Sequence, residues 1–302
     1  MALWAVRAYG RFDRPKRIVW CIFRGMFMTS TDLNTYVTFG YMLCGLCYLI
    51  VYVACSVESN ARKWVLALLL IVWCAHTVSI GLRWVESYQM GIGHAPLSNL
   101  YESLIFFGWA ITLGLLLVRL RFQSDIVIVL GLPLVFLVMA YTFLLDDSVK
   151  HIKPLIPALQ SNWLVAHVIT CFLGYAGFTA SFVAAVLLLL SRSADPLQRN
   201  LPSPEVLDEI VYRSVLVGYP MLSLGIITGA AWADYAWGTY WSWDPKETWS
   251  LITWLVYSAF LHARLTRGWT GERTAILSVA GFAAVLFTYF GVNYLPGLHS
   301  YF

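Results

Sequence analysis

The chain has 302 residues, of which 60% are hydrophobic and only 12% charged, with a net charge of +4. A charged share about half that of ordinary soluble domains excludes a single soluble globular domain. No stretch is low-complexity or charge-rich, which excludes a disordered or fibrous chain and leaves an all-α polytopic membrane protein.

Residues 1–34 come first and carry Arg7, Arg11, Arg14, Lys16, Arg17 and Arg24. They contain no apolar core ending in a small-residue cleavage site. They read as a basic N-terminal segment that either lies on the membrane surface as an interfacial helix or hides an extra short crossing near Ile18–Met28, where Arg24 and the short length favour the interfacial helix. Residues 35–302 read as one membrane domain. Charge-free runs place eight spans there, at 33–57, 64–82, 103–118, 126–145, 154–191, 214–233, 248–263 and 274–302. A span needs about 20 residues, and charges snorkel at its ends, so the shorter runs qualify. The run 154–191 is too long for one span. Pro154, Pro157, Gln160 and Asn162 read as loop, so its helix is expected to start near Trp163.

The six cysteines are Cys21, Cys44, Cys47, Cys55, Cys74 and Cys171. Most lie in apolar runs, which argues against a disulfide framework. Cys44 and Cys47 have redox spacing but sit inside a span, so they read as buried small residues. The sequence contains no Cys-x-x-Cys-His of its own.

Basic residues set the direction of the spans. One set of loops holds Arg62, Lys63, Arg119, Arg121, Arg192, Arg199, Arg213, Arg264, Arg267 and Arg273, and the opposite set only Arg83, Lys150, Lys153 and Lys246. The richer side is expected to face the cytoplasm. The loops around 84–101, 146–162 and 234–247 and the C-terminus then face outward. Eight spans leave the basic residues of 1–34 outside, against the same rule. The net positive charge otherwise reflects basic loops on the cytoplasmic side of a protein embedded in membrane lipid, and no basic run with interleaved aromatics suggests a nucleic-acid surface.

Five of the fourteen tryptophans fall between Trp232 and Trp249. Gly238 and Pro245 break the helix there. An interfacial belt would scatter tryptophans over several helix ends. Trp237, Trp241 and Trp243 concentrated beside Asp234, Asp244 and Glu247 read instead as a flat apolar platform with a polar rim, suited to a large planar ligand.

Neutral imidazole is a natural iron ligand. His167 lies about one turn into the fifth span, and His299 follows the eighth. Both fall on the outer side and flank the aromatic segment, which fits bis-histidine axial ligation of a haem. His262 is 18 residues after Asp244, about 27 Å deeper if helical. It is either a functional group within the bilayer or a cytoplasmic-end histidine beside Arg264. His76 lies near the outer end of the second span. The depths of His76 and His262 do not match, so an axial partner for His262 points to another protein. His76 is expected to hydrogen-bond between helices, and His94 and His151 to be solvated in outer loops.

Trp237-Gly-Thr-Tyr-Trp-Ser-Trp-Asp-Pro-Lys-Glu-Thr-Trp249 resembles the tryptophan-rich "WWD" signature of haem-handling proteins. The continuation to Thr253-Trp254-Leu-Val-Tyr257 and His262, with Arg83-Trp-Val-Glu-Ser and Gly93-His-Ala-Pro-Leu-Ser-Asn-Leu-Tyr-Glu102, resembles the CcsA branch (CcsB or ResC in some organisms) of system II cytochrome c biogenesis. The likeness covers roughly 35–302; residues 1–34 do not align with it. It implies a subunit of a cytochrome c haem lyase (synthase) in the cytoplasmic (inner) membrane. The implied cofactor-substrate is haem b, with His167 and His299 as external iron ligands, His262 as an intramembrane one, and Trp237, Trp241, Trp243 and Asp244 at the haem. It also implies a CcsB (ResB)-like membrane partner, the Cys-x-x-Cys-His of apocytochrome c as acceptor, and a thioredoxin-like reductant. The alternatives are a haem transporter without attachment activity and a CcmC- or CcmF-type haem-handling protein.

Overall fold

The computed structural model describes residues 28–55, 59–191 and 201–297. Among them, eight long helices run up and down: α1 (Ser30–Ala54), α2 (Asn60–Gln89), α3 (Leu100–Phe122), α4 (Asp125–Tyr141), α5 (Asn162–Leu190), α6 (Pro204–Trp237), α7 (Pro245–Arg267) and α8 (Glu272–Tyr289). The fold is all-α and polytopic, as the charge-free runs predict. Six helices, α1 to α6, are long and apolar enough by themselves to cross a membrane; α6 enters that set despite its charged first turns. His299 and the basic stretch 1–27 lie outside the described residues.

The helices extend beyond the charge-free runs because their ends are built from polar caps. Thr29 and Asp32 form a reciprocal capping box at the start of α1. Asn99 accepts from the Glu102 amide to open α3, and Ser161 from the Trp163 amide to open α5. The eighth run behaves differently. Its helix stops at Tyr289, and a 3-10 turn, Gly291–Tyr294, follows. A charge-free run does not register that end, because Gly291 and Pro296 break the helix without adding a charge.

One end of the bundle carries the tryptophan segment, and the other carries most of the basic residues among those described. α5 is central and packs on α3, α4, α6 and α8, while α1 pairs with α2 and α4, and α7 with α8. The tightest seam joins α5 and α6. At Gly177, a Cβ would stand 2.9 Å from both the Gly218 Cα and the Ser214 carbonyl oxygen. Small residues let membrane helices approach this closely, and van der Waals packing then holds them.

Buried ion pairs pin both ends. At the basic end, Asp125 bridges Arg62 (2.9 Å) and Arg119 (2.6 Å), and Asp208 holds Arg264 (2.6 Å). At the tryptophan end, Arg83 Nε donates to Glu102 at 2.8 Å, and Arg83 Nη2 donates to the Lys150 carbonyl. Arg83 is therefore no loop residue, contrary to its place in the charge count. It lies inside α2, and its side chain is only 5% exposed. An Arg83→Leu variant strands the Glu102 carboxylate, at a cost on the order of 3 kcal/mol. The double variant with Glu102→Leu is expected to regain most of that loss. Thermal unfolding in detergent checks this; a double variant no more stable than the single one contradicts it.

Cys44 is fully buried, Cys47 partly so, and both are free thiols, as expected.

Candidate functional site

A cavity of about 330 Å³ opens at the tryptophan end, among the starts of α3, α5 and α7 and the ends of α6 and α8. Aliphatic and aromatic side chains make most of its wall. Its polar groups include His167, Lys246, Glu247, Ser98, Asn99 and Asn293. A pocket of a few hundred Å³, largely apolar with a few convergent polar groups, is the usual form of a small-molecule site.

His167 sits in the second turn of α5. Its Nδ1 lies 2.7 Å from the Gly225 carbonyl oxygen of α6, and Cys171 Sγ approaches the same nitrogen at 3.6 Å. A carbonyl only accepts, so Nδ1 carries the proton and Nε2 the lone pair. This is the tautomer of a metal-ligating histidine whose second nitrogen is anchored to the backbone. Two glycines permit it. Gly225 offers its carbonyl, and at Gly229 a Cβ would stand 2.6 Å from His167 Nδ1. The imidazole lies nearly parallel to Trp232, at 14° and 6.1 Å between centroids. Trp232 is itself buried and donates Nε1–H to the Ala158 carbonyl at 2.8 Å.

The aromatic segment breaks where the sequence says it should. α6 ends at Gly238, whose φ of +75° is the left-handed region glycine favours, and α7 starts with Pro245 at its first position. Asp244 caps α7 by accepting from the Lys246 amide at 2.9 Å, and Glu247 reaches back to the Asp244 amide at 3.2 Å and the Ser242 amide at 2.8 Å. Trp-Asp-Pro-Lys-Glu is thus a helix start with a capping box. Asp244 holds the loop in place, and Glu247 both fixes the loop and lines the cavity.

The expected flat platform is not what the indoles make. Trp232 and Trp237 meet at 67°, and Trp241 and Trp243 at 90°. Trp249 packs against Phe287 instead. Trp241 lines the cavity, whereas Trp243 is 69% exposed, with a φ of +59° that is uncommon outside glycine. Trp237 ends α6 whereas Trp249 belongs to α7, and the positive φ of Trp243 departs from the extended backbone that would have put it on one face with Trp241.

The other histidines divide. His76 is fully buried and bonds Tyr41 Oη through Nδ1 at 2.9 Å, joining α2 to α1 as expected. His151 is exposed. His94 is not solvated. It is 8% exposed, and its ring nitrogens face the carbonyls of Ala95 (2.8 Å) and Lys153 (3.1 Å). Packing between two loops at the tryptophan end buries it, and nothing in its local sequence signals that. His262 is exposed near the basic end of α7, on one face with Leu255, Ala259 and Thr266. His299 lies outside the described residues. The chain leading to it passes the start of α7, because a Cβ at Gly297 would stand 2.5 Å from Asp244 Oδ2.

Sequence reasoning missed Lys246 as a site residue, having counted it only as a topological charge. Its side chain lines the cavity, with Nζ 3.4 Å from Asn293 Oδ1. Burial pushes its ammonium below the usual lysine range, and Asp244 and Cys171 partly offset that. An isolated cation inside the aromatic motif was the available signal.

Residues 97–299 match the family described as Cytochrome C assembly protein. A protein of Prochlorococcus marinus subsp. pastoris named "Cytochrome c biogenesis protein CcsA" is 43% identical, over 72% of this chain and 77% of its own length. One of the same name from Parasynechococcus marenigrum is 41% identical, over 82% of this chain and 89% of its own. The matched stretch contains the whole cavity wall, the tryptophan segment and the described histidines from α5 onward. The chain belongs to the cytochrome c assembly family, as a member of its CcsA branch.

Proposed function

We propose that this chain holds haem b at the tryptophan end, in position for thioether attachment to the Cys-x-x-Cys-His of apocytochrome c. A role in cytochrome c maturation follows from the family. The observation that carries the finer reading is His167. Its Nδ1–H is locked to Gly225, and it stands in the wall of an apolar cavity.

The tryptophan end faces outward from the cytoplasmic membrane, and the basic end faces the cytoplasm, by the distribution of Lys and Arg. Haem is the substrate. It supplies the two vinyl groups that accept the acceptor's thiols. His167 provides one axial nitrogen and His299 the second. Trp241 and the apolar wall shield the ring from water, and the acceptor's histidine replaces one axial ligand as the thioethers form. Positioning supplies most of the acceleration. A thioredoxin-like reductant keeps the acceptor's cysteines reduced.

His262 supports a second, deeper station. Its exposed face on α7 leaves room for a histidine of a CcsB (ResB)-like membrane subunit on the other side of the same iron. An ionisable side chain on the outer face of a membrane helix is costly unless a partner covers it.

A haem carrier without attachment activity also uses an exposed His262. The complex reconstituted with its partner, ferrous haem and a reduced Cys-x-x-Cys-His peptide separates the two. The synthase reading expects peptide-bound haem that survives acid-acetone extraction. Haem delivered to the peptide without thioether bonds refutes it.

A further inference from the structure

We propose that Lys246 is the anion post of the cavity and receives a carboxylate of the amphipathic ring that fills it, the propionate edge of a porphyrin. The identity of the ring rests on the haem reading above; the need for an anion rests on Lys246 itself.

Lys246 is the second residue of α7, held between Pro245 and the Asp244–Glu247 capping box. Its ammonium has three donors. Among the described residues the bond formed is to Asn293 Oδ1, and at 3.4 Å it is long for an N–H···O contact. Asp244 Oδ1 is already engaged by the Lys246 backbone amide, and Glu247 by the amides of Ser242 and Asp244. Neither acid is committed to the ammonium. Asp244 offsets the cost of this cation in a largely apolar wall only in part, and a bound anion in direct contact relieves the rest.

The cavity's other polar groups suit such a ligand. Ser98 and Asn99, immediately before α3, line the same wall with neutral polar groups, and His167 stands in it as the proposed metal-binding side chain. A lone pair and a cation in one mostly apolar cavity match a flat apolar ligand with a metal at its centre and acids on its rim. A carboxylate–ammonium contact is a charge-assisted hydrogen bond, stronger than a neutral one.

The test uses iron-free protoporphyrin IX, which has both carboxylates, and its dimethyl ester, which has none. Neither involves an axial ligand, so the outcome is independent of the histidines. Haem binding to His167→Gly reports on that reading separately. With the complex in detergent and binding followed by tryptophan quenching, Lys246→Met is expected to weaken the diacid about tenfold or more and the ester less than about twofold. Lys246→Arg recovers most of the loss. Equal losses for both ligands, or none, overturn the proposal. If Lys246→Met does not fold, the wild-type protein answers by amine labelling read by mass spectrometry. The diacid protects Lys246 and the ester does not. Equal protection by both, by neither, or by phosphatidylglycerol as well as by the diacid overturns it.

Discussion

On the proposed haem site, His167→Gly is expected to abolish the Soret band, and added imidazole to restore it. The reasoning is local. Removing the side chain leaves a ring-shaped space bounded by Trp232 on one flank, and by the Gly225 carbonyl that formerly took the Nδ1 proton. Free imidazole has the shape and the donor to fill that space, so the rescue is chemical as well as steric. Gly229→Ala gives an intermediate result, because its Cβ would stand 2.6 Å from Nδ1 and 2.8 Å from Cε1, and the ring must move. The new methyl tilts the imidazole off the Gly225 carbonyl, and iron affinity is expected to fall about ten- to hundredfold, the usual scale for losing an outer-shell partner of a ligating histidine. Haem titration followed by absorbance measures all three proteins. An unchanged spectrum in His167→Gly, with cytochrome c assembly intact, removes His167 from the site.

Gly177→Leu takes apart the seam on which the cavity stands. At this crossing a Cβ meets only backbone: Gly218 Cα at 2.9 Å, the Ser214 oxygen at 2.9 Å and the Gly218 nitrogen at 3.0 Å. No side chain is available to turn aside, so α5 and α6 must separate. Overpacking of this kind costs about 3 kcal/mol or more, and helix association in lipid has little hydrophobic drive to offset it. The expected result is a large fall in the melting temperature of the detergent-solubilised protein and loss of porphyrin binding, since α5 carries His167 while α6 carries Gly225 and Gly229. Gly81→Ala is the control, because its added Cβ finds nothing within 4 Å. Equal stability of Gly177→Leu and Gly81→Ala contradicts the close crossing.

Much of the architecture is legible in the chain because membrane spans follow from charge alone. Runs without Asp, Glu, Lys or Arg locate eight helices, and Gly238 and Pro245 mark the break between α6 and α7 where it occurs. The same criterion misreads whatever a charge does after folding. Arg83 looks like a loop residue until Glu102, brought over from α3, neutralises it inside the bundle. His94 looks solvated until the loop holding Lys153 closes over it. The site is legible in part. His167 and Trp241 stand in the wall of one cavity. The coplanar stack of indoles fails because ring orientation depends on χ angles and on the φ of Trp243, neither of which is written in residue order. Lys246 was overlooked because a lysine at a helix start is normally solvated, and only the fold brings this one into the wall of a cavity.

The six residues between Gly238 and the start of α7 are clamped at both ends, by a helix stop on one side and the capping box on the other. Trp241 and Trp243 are mounted on that tether one residue apart, the first facing the cavity and the second facing the surroundings. The inner wall therefore has an outer handle. Ser242, between the two indoles, donates its amide to Glu247, so inner wall and outer face are set by one short anchored stretch of chain.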